Sequence, residues 1–155
     1  KSTLGRIFAK EYNLEFIDTD SNIAKKNEMS VMEIFKKKGE SFFRAEEKKE
    51  VIKSLKKNNC VIAIGGGAFL DKTVRESILK SAISFWLDVD IELLNKRTKV
   101  NKKRPLLNKN TNYARLMMLY SERKNIYKLA NHKIECSKLS KKKIVEKIKN
   151  IYEKY

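Results

Sequence analysis

The sequence predicts an α/β fold in which a parallel sheet lies between layers of helices. Short apolar runs alternate along the chain with segments of helical periodicity, which is typical of layered α/β proteins. The run at 61–64 is Val-Ile-Ala-Ile, without polar alternation, and such a run indicates a strand that is covered on both faces. Three glycines follow it at 65–67, at the strand end where open α/β sheets bind ligands. A flexible turn without a ligand is the alternative interpretation of these glycines.

The chain is expected to form one domain. Its 155 residues are enough for a single core, and neither internal repeats nor a low-complexity linker divides them. No apolar run of about 18 residues is present, and the N-terminus has no signal-peptide pattern. Cys60 and Cys136 belong to no CxxC motif, so structural zinc and a disulfide framework are not expected. We predict a single cytoplasmic domain at 1–155 with no membrane partner and, since no apolar surface stripe is evident, a monomer.

The chain is strongly basic. The 36 Lys and Arg residues against 19 Asp and Glu give a formal net charge of +17, which attracts polyanions at long range. The lysines are spread along the whole chain, and aromatic residues do not interleave with them as a base-stacking surface requires. A solvated basic surface that favours small anions such as ATP is therefore the preferred interpretation. A basic nucleic-acid-binding protein is the alternative from a different functional class.

The first elements carry candidate phosphate and metal ligands. Lys1, Ser2 and Thr3 lead directly into a helical pattern, and Lys-Ser-Thr before a helix is the end of the phosphate-loop signature GxxxxGK[ST]. A plain Ser/Thr helix cap is the alternative. A short strand is predicted at 14–17, and Asp18 and Asp20 follow it. Two carboxylates at a strand end can serve a metal and an acceptor hydroxyl, or else form a turn in which Asp20 or Ser21 caps the next helix.

The middle of the chain continues the alternation. The segment at 23–57 has helical periodicity with a break near 38–40, and Arg44 lies beside aromatic residues within it. A guanidinium offers a fork of donors to a small carboxylate, although it can also cover apolar surface. The following elements are predicted as a helix at 71–80, a strand at 83–87 and a helix at 91–97.

The remaining third contains a long loop and the last helices. Residues 98–112 lose apolar periodicity and include the basic run at 102–104 and Pro105, which is typical of a functional lid or of a disordered segment. A helix at 113–130, a strand at 133–136 and a helix at 140–155 follow. His132 has no evident nucleophile or metal partner, so hydrolysis by a covalent triad is not expected.

Six short motifs occur in the order and approximate spacing of shikimate kinases, and the resemblance covers essentially the whole chain. They are Lys1-Ser2-Thr3, Asp18-Thr19-Asp20, Phe43-Arg44-Ala45-Glu46-Glu47, Gly65-Gly66-Gly67, Arg104-Pro105-Leu106-Leu107, and Arg123 with Tyr127. The resemblance implies a P-loop kinase fold with a five-stranded parallel sheet flanked by helices, and ATP and Mg²⁺ as cofactors. It implies transfer of the γ-phosphoryl group to the 3-hydroxyl of shikimate, a step towards chorismate and the aromatic amino acids. It also implies an acceptor-binding helical region at 21–57 and a lid at 99–112.

The resemblance also assigns roles to single residues. On the nucleotide side it implies phosphate, lid and adenine contacts by Lys1, Ser2, Thr3, Arg97, Arg104 and Lys138. It implies a metal site formed by Ser2 and, through water, by Asp18. On the acceptor side it implies shikimate contacts by Asp20, Arg44, Gly65, Gly66, Gly67 and Arg123. Lys1, Asp20 and Arg104 would be the catalytic residues. We further expect the ring to lie against the glycine backbone, so that Gly66→Ala weakens shikimate more than ATP, and Arg44→Ala to impair turnover while the fold survives.

One departure and two rivals accompany the resemblance. Shikimate kinases have a strand and a glycine-rich loop before Lys-Ser-Thr, so we expect the native protein to continue upstream of Lys1. An intact mass equal to that of the 155 residues would contradict this expectation. A gluconate-type or nucleotide-type kinase of the same fold would differ in the acceptor. A dinucleotide-binding fold fails on its own motif, because Leu70 stands where GxGxxG requires its last glycine.

Overall fold

A computed structural model describes the backbone at 1–100 and 113–155 and the side chains outside 96–112. Helices and parallel strands alternate in it, as the sequence predicts. The elements are α1 (Ser2–Glu11), β1 (Glu15–Asp18), α2 (Thr19–Lys26), α3 (Val31–Ser54), β2 (Cys60–Ala63), α4 (Lys72–Ser81), β3 (Phe85–Asp88), α5 (Ile91–Val100), α6 (Tyr113–Tyr127), β4 (His132–Glu135) and α7 (Lys141–Tyr152), with a 3-10 turn at Ala68–Leu70 between β2 and α4.

The described strands form two separate parallel pairs. Strand β1 pairs with β2, with Asp18 opposite Ala63. Strand β3 pairs with β4, with Asp88 opposite Glu135. An apolar cleft of about 620 Å³ separates the two pairs and is lined by residues of α1, β2 and β3. The parallel α/β architecture is therefore confirmed, whereas a count of five strands is not confirmed in the described part of the chain.

The predicted helix at 23–57 is in fact two helices. Helix α2 begins at Thr19, and the Asp18 carboxylate caps it by accepting a hydrogen bond from the Ser21 N–H, so the capping residue is neither Asp20 nor Ser21. Helix α3 begins anew after Ser30, which forms a reciprocal capping box with Glu33. The predicted break near 38–40 is confirmed as a kink at Gly39, where φ is +83°. Helix α5 extends to Val100, three residues beyond the predicted end at 97.

Three apolar clusters hold the layers together. The first packs α1 against α7 and β4 around Phe8, Ile134 and Ile148. The second packs α3 against α4 and the 3-10 turn around Val51 and Val74. The third joins α2 to α3 through Ile23, Ile34 and Phe43. Because α3 packs on both α2 and the 3-10 turn after β2, the ends of β1 and β2 lie beside these helices. Within the described ranges, none of the helices combines the length and apolar character needed to cross a membrane.

Candidate active site

The candidate site lies where β1 and β2 end. Parallel pairing brings the carboxyl ends of both strands to one edge, so Asp18 and the glycine turn after Ala63 are neighbours. The buried Thr19 hydroxyl donates to the Ala63 carbonyl at 3.3 Å and ties the two strand ends together. Helix α1 begins at the same edge: Lys1 Nζ lies 3.2 Å from Asp20 Oδ2, and Ser2 Oγ donates to Asp18 Oδ2 at 2.5 Å. The predicted phosphate-binding and acidic residues therefore meet.

Asp18 is held in its charged form. Burial opposes ionisation, but the hydrogen bond from Ser2, the charge of Lys1 and the bond from the Ser21 N–H outweigh it, so the pKa of Asp18 lies below its ordinary value. An ionised carboxylate beside a hydroxyl is an oxygen-only donor set. Mg²⁺ prefers such donors and needs only one or two from the protein, because water and phosphate oxygens complete its shell. Ser2 and Asp18 therefore fit the predicted magnesium site.

Arg44 is fixed by two carboxylates on its own helix. Its Nη1 lies 2.6 Å from Glu47 Oε2, and its Nη2 lies 3.0 Å from Glu40 Oε1. Burial works against the charged guanidinium, but the bonds and charges of Glu47 and Glu40 outweigh it and raise the pKa of Arg44. The guanidinium also lies over the rings of Phe35 and Phe43, 5.8 and 5.5 Å from their centroids. Arg44 is therefore a preorganised cation with part of its surface open to an anionic ligand.

The glycine turn covers the Arg44–Glu47 pair. A Cβ on Gly65 would overlap Glu47 Oε1 and lie 2.9 Å from Asp20 Oδ1, and a Cβ on Gly67 would overlap the Arg44 guanidinium. A side chain at either position would therefore displace Glu47 or Arg44 from its place, a reason for glycine that the sequence does not reveal. At Gly66 a Cβ would lie 3.2 Å from the Tyr127 hydroxyl, a tight contact without overlap. The requirement for glycine under the acceptor ring stays a prediction.

Glu47 is the most deeply buried acidic group of this site. Its side chain is 2% exposed, and its Oε1 has no hydrogen-bond partner among the described residues. Asp20 Oδ1 is likewise a buried oxygen without a hydrogen-bond partner among them. Burial raises the pKa of Glu47, the charge of Asp20 adds to this effect, and Arg44 opposes it. From the sequence, Glu47 is expected only as a member of the motif around Arg44. Glu47 follows Arg44 by three residues, and this helical spacing is the feature of the sequence that predicts an ion pair between them.

We expect Glu47 to make stability fall as the pH rises. Because its pKa is raised above the ordinary 4.5, the folded protein binds the proton more tightly than the unfolded chain does. Its contribution is therefore complete below pH 4.5 and is lost as the pH rises through the folded pKa. Urea unfolding from about pH 4 to about pH 8 should show a smaller decline for Glu47→Gln than for the wild type. Glu40→Gln, which alters the exposed partner of Arg44, should keep the wild-type decline, and equal slopes in all three proteins would contradict the assignment.

Helix α6 brings Arg123 and Tyr127 to the glycine turn. The Tyr127 hydroxyl donates to the Gly66 carbonyl, and Arg123 Nη1 lies 3.6 Å from the position of a Cβ on Gly66. Burial raises the pKa of Tyr127, while the charge and hydrogen bonding of Arg123 lower it. Arg44 and Arg123, predicted to bind one carboxylate, therefore approach the same turn from α3 and α6.

The other predicted nucleotide contacts lie further out or outside the described residues. Thr3 is exposed in the first turn of α1, and Lys138 is exposed in the turn after β4. Within the described ranges, neither side chain forms a hydrogen bond or an ion pair with the groups described above. The side chain of Arg97, the whole of Arg104 and the lid from 101 onwards lie outside the described residues.

The geometry defines a class of protein. A parallel α/β fold that joins a lysine-led helix N-terminus, two acidic groups and an arginine-lined glycine turn at one sheet edge is a P-loop-type small-molecule kinase. The family model described as shikimate kinase matches residues 1–153. The chain therefore belongs to the shikimate kinase family, whose members phosphorylate shikimate with ATP in aromatic amino acid biosynthesis.

Similar proteins agree with this assignment. The chain is 36% identical over 148 residues to the shikimate kinase of Sulfurihydrogenibium sp. (strain YO3AOP1), which covers 96% of this chain and 88% of that protein. It is 34% identical over 148 residues to the shikimate kinase of Persephonella marina, and the match covers 96% of this chain and 89% of that protein. The structure of shikimate kinase from Acinetobacter baumannii in complex with shikimate superimposes with a TM-score of 0.91 at 30% identity, over 97% of this chain and 84% of that one. The structure of shikimate kinase from Aquifex aeolicus superimposes with a TM-score of 0.86 at 29% identity, over 99% of this chain and 89% of that one.

Proposed function

We propose that this chain transfers the γ-phosphoryl group of ATP to the 3-hydroxyl of shikimate at the junction of Asp20 and Lys1. The observation that carries the proposal is the 3.2 Å contact between Lys1 Nζ and Asp20 Oδ2. It brings the residue expected to hold phosphate within hydrogen-bond distance of the residue expected to hold the acceptor hydroxyl. Phosphoryl transfer depends on such alignment and on cations that balance the phosphate oxygens.

Asp20 is suited to receive the proton of the reacting hydroxyl. Its Oδ2 is held by Lys1 at 3.2 Å, and its side chain is 33% exposed, so the carboxylate can be reached by an acceptor hydroxyl. In the reaction the hydroxyl oxygen bonds to the γ-phosphorus while the bond from phosphorus to the β,γ-bridging oxygen breaks. The hydroxyl proton passes to Asp20, and the electron pair of the broken bond leaves with ADP.

The acceptor carboxylate is assigned to Arg44 and Arg123. Both guanidinium groups adjoin the glycine turn, and Arg44 is held in place by Glu47 and Glu40 before any ligand arrives. Two fixed cations at one end of the ring and Asp20 at the other would set its orientation. This arrangement suits a small hydroxylated carboxylate such as shikimate. A nucleotide acceptor would require a stacking surface for its base.

The nucleotide side rests on Lys1, Ser2 and Thr3, with Arg97, Arg104 and Lys138 as further contacts by resemblance to the family. Mg²⁺, where bound, would balance phosphate charge, and Ser2 and Asp18 are the residues that would hold it. Lys1 would balance charge on the transferred group, and closure of the segment at 99–112 with Arg104 would exclude water as a competing acceptor.

The wider setting follows from the same account. We propose a single domain at 1–155 with an acceptor-binding region at 21–57, acting as a cytoplasmic monomer without a nucleic-acid or membrane partner. The net charge of +17 then serves to attract anionic substrates. Binding of nucleic acid that falls steeply with salt and competes with ATP would contradict this part of the proposal.

A coupled assay of ADP release tests the proposed reaction. The full-length protein with ATP and Mg²⁺ should release ADP rapidly only when shikimate is added. Gluconate and a nucleoside monophosphate, the acceptors of the rival kinases, should give no more than the background rate. Equal rates with and without shikimate, or a preference for either rival acceptor, would reject shikimate as the substrate.

Asp20→Asn should lower kcat by roughly 10²- to 10⁴-fold, which is the usual contribution of a general base. Asparagine has nearly the same shape but cannot take the proton, so the KM for ATP should change little. Glu40→Gln is the matched acid-to-amide control outside the transfer path. A kcat for Asp20→Asn within threefold of the wild type would show that Asp20 does not receive the proton.

A further inference from the structure

A contact in this site has no part in the mechanism above. The Tyr127 hydroxyl, at the end of α6, donates to the carbonyl oxygen of Gly66. The ring of Tyr127 is half-buried, packs against the apolar cluster around Val51 and Phe69, and lies 6.1 Å from the ring of Trp86. A ring anchored in this way gives its hydroxyl a defined position. The contact therefore links the rigid core to the glycine turn.

The hydrogen bond from Tyr127 to the Gly66 carbonyl bears on two neighbouring backbone donors, the N–H groups of Gly66 and Gly67. The Gly66 carbonyl belongs to the same planar peptide unit as the Gly67 N–H, and the two groups point in opposite directions. Among the described residues, neither the Gly66 N–H nor the Gly67 N–H has a hydrogen-bond partner. Without a side chain, a glycine peptide rotates readily unless something holds its carbonyl. Tyr127 holds it, and so fixes the direction of the unused Gly67 N–H.

The same hydroxyl is coupled to Arg123. A Cβ on Gly66 would lie 3.2 Å from Tyr127 Oη and 3.6 Å from Arg123 Nη1, so the three groups share one small region. Arg123 precedes Tyr127 by one helical turn on α6, which places both side chains on one face of the helix.

We propose that Tyr127 is a positioning residue for the acceptor, whose hydroxyl holds the Gly66–Gly67 peptide and Arg123 in the arrangement that binds the substrate carboxylate. This inference rests on the proposed assignment of the turn and Arg123 to that carboxylate. The Tyr127 hydroxyl faces Gly66 and Arg123, on the proposed carboxylate side of the site. Its loss should therefore affect acceptor binding selectively.

Tyr127→Phe separates the hydroxyl from the ring, because phenylalanine preserves the apolar packing. Steady-state kinetics of the full-length protein should show a rise of about three- to tenfold in the KM for shikimate, the range of one neutral hydrogen bond. The kcat and the KM for ATP should stay within about twofold of the wild type. Shikimate titration by calorimetry should show the same loss of affinity.

Tyr120→Phe is the matched control. Tyr120 lies seven residues earlier on α6, and its hydroxyl donates to Asp88 Oδ1 at 3.1 Å. Both variants remove one tyrosine hydroxyl from the same helix. If the effect were purely structural, the KM for shikimate would rise in both variants, or the KM for ATP would change together with the KM for shikimate. Either of these results, or an unchanged KM for shikimate in Tyr127→Phe, overturns the proposal. A wild-type protein without shikimate-dependent turnover would instead refute the proposed function, and the inference with it.

Discussion

Replacing Arg44 with alanine should raise the KM for shikimate by roughly 10²-fold or more, because it removes two charge-assisted hydrogen bonds to the acceptor carboxylate. The structure adds a second expected effect. Glu47, 2% exposed, has Arg44 as its only ion-pair partner in the described chain, at 2.6 Å. Loss of Arg44 leaves the buried Glu47 carboxyl without this partner, which costs about 1–3 kcal/mol in free energy of unfolding. We therefore expect Arg44→Ala to fold with a lower free energy of unfolding than the wild type.

A double variant separates the two effects. Arg44→Ala combined with Glu47→Gln removes both charges, so most of the lost stability should return, while the KM for shikimate should stay high. Arg44→Lys keeps a charge without the planar fork and should fall between wild type and Arg44→Ala in shikimate affinity. Denaturant unfolding and steady-state kinetics measure both quantities on the same proteins. Wild-type shikimate kinetics in Arg44→Ala would refute the role of Arg44 in the acceptor site.

Gly67→Ala is the second change from which we expect a large effect. The added Cβ would overlap Nη1 and Cζ of Arg44 and lie 2.8 Å from its Nη2. The Arg44 side chain is 30% exposed, so it has room to swing outward. The variant should therefore lose little stability, yet the KM for shikimate should rise by about 10- to 10²-fold because the guanidinium leaves its bound position.

Alanine at the two neighbouring glycines provides the comparison. At Gly65 the overlap is with Glu47, which is buried and has no room to move, so Gly65→Ala should cost about 1–3 kcal/mol of stability. At Gly66 the closest atom is 3.2 Å away, so Gly66→Ala should have the mildest effect of the three. A larger rise in the KM for shikimate in Gly66→Ala than in Gly67→Ala would contradict the view that Arg44 sets the geometry of the turn.

The order of elements and the residues of the site could be predicted from local patterns. All four described strands lie within two residues of their predicted bounds. Continuous apolar runs indicate β2 and β3, whereas β1 and β4 are short segments in which charged residues flank the apolar ones. Asp20, Arg44 and Arg123 were predicted from motifs that resemble a family, and the structure places them around one glycine turn. Spacing along the chain alone does not predict that convergence, since it depends on parallel pairing of β1 with β2.

The partners of these residues could not be predicted. The sequence predicts no role for Glu47, because its importance arises from burial beneath Gly65, which is a property of the packed structure. Tyr127 likewise reaches Gly66 across 61 positions of sequence. The break before α3 was missed because the capping box of Ser30 and Glu33 overrides an otherwise continuous helical pattern. Local signals thus indicate which groups carry chemistry, whereas the groups that hold them depend on tertiary contacts.

A crystal structure of the protein with shikimate and a non-hydrolysable ATP analogue would show whether the acceptor binds between Asp20 and the two arginines. The measured quantities are the distances from the shikimate carboxylate to the guanidinium groups of Arg44 and Arg123, and from the 3-hydroxyl to Asp20. We expect all three to be hydrogen-bond distances, with the 3-hydroxyl facing the γ-phosphate beside Lys1. A shikimate carboxylate bound at Lys1, with its ring hydroxyls turned towards Arg44, would contradict this expectation.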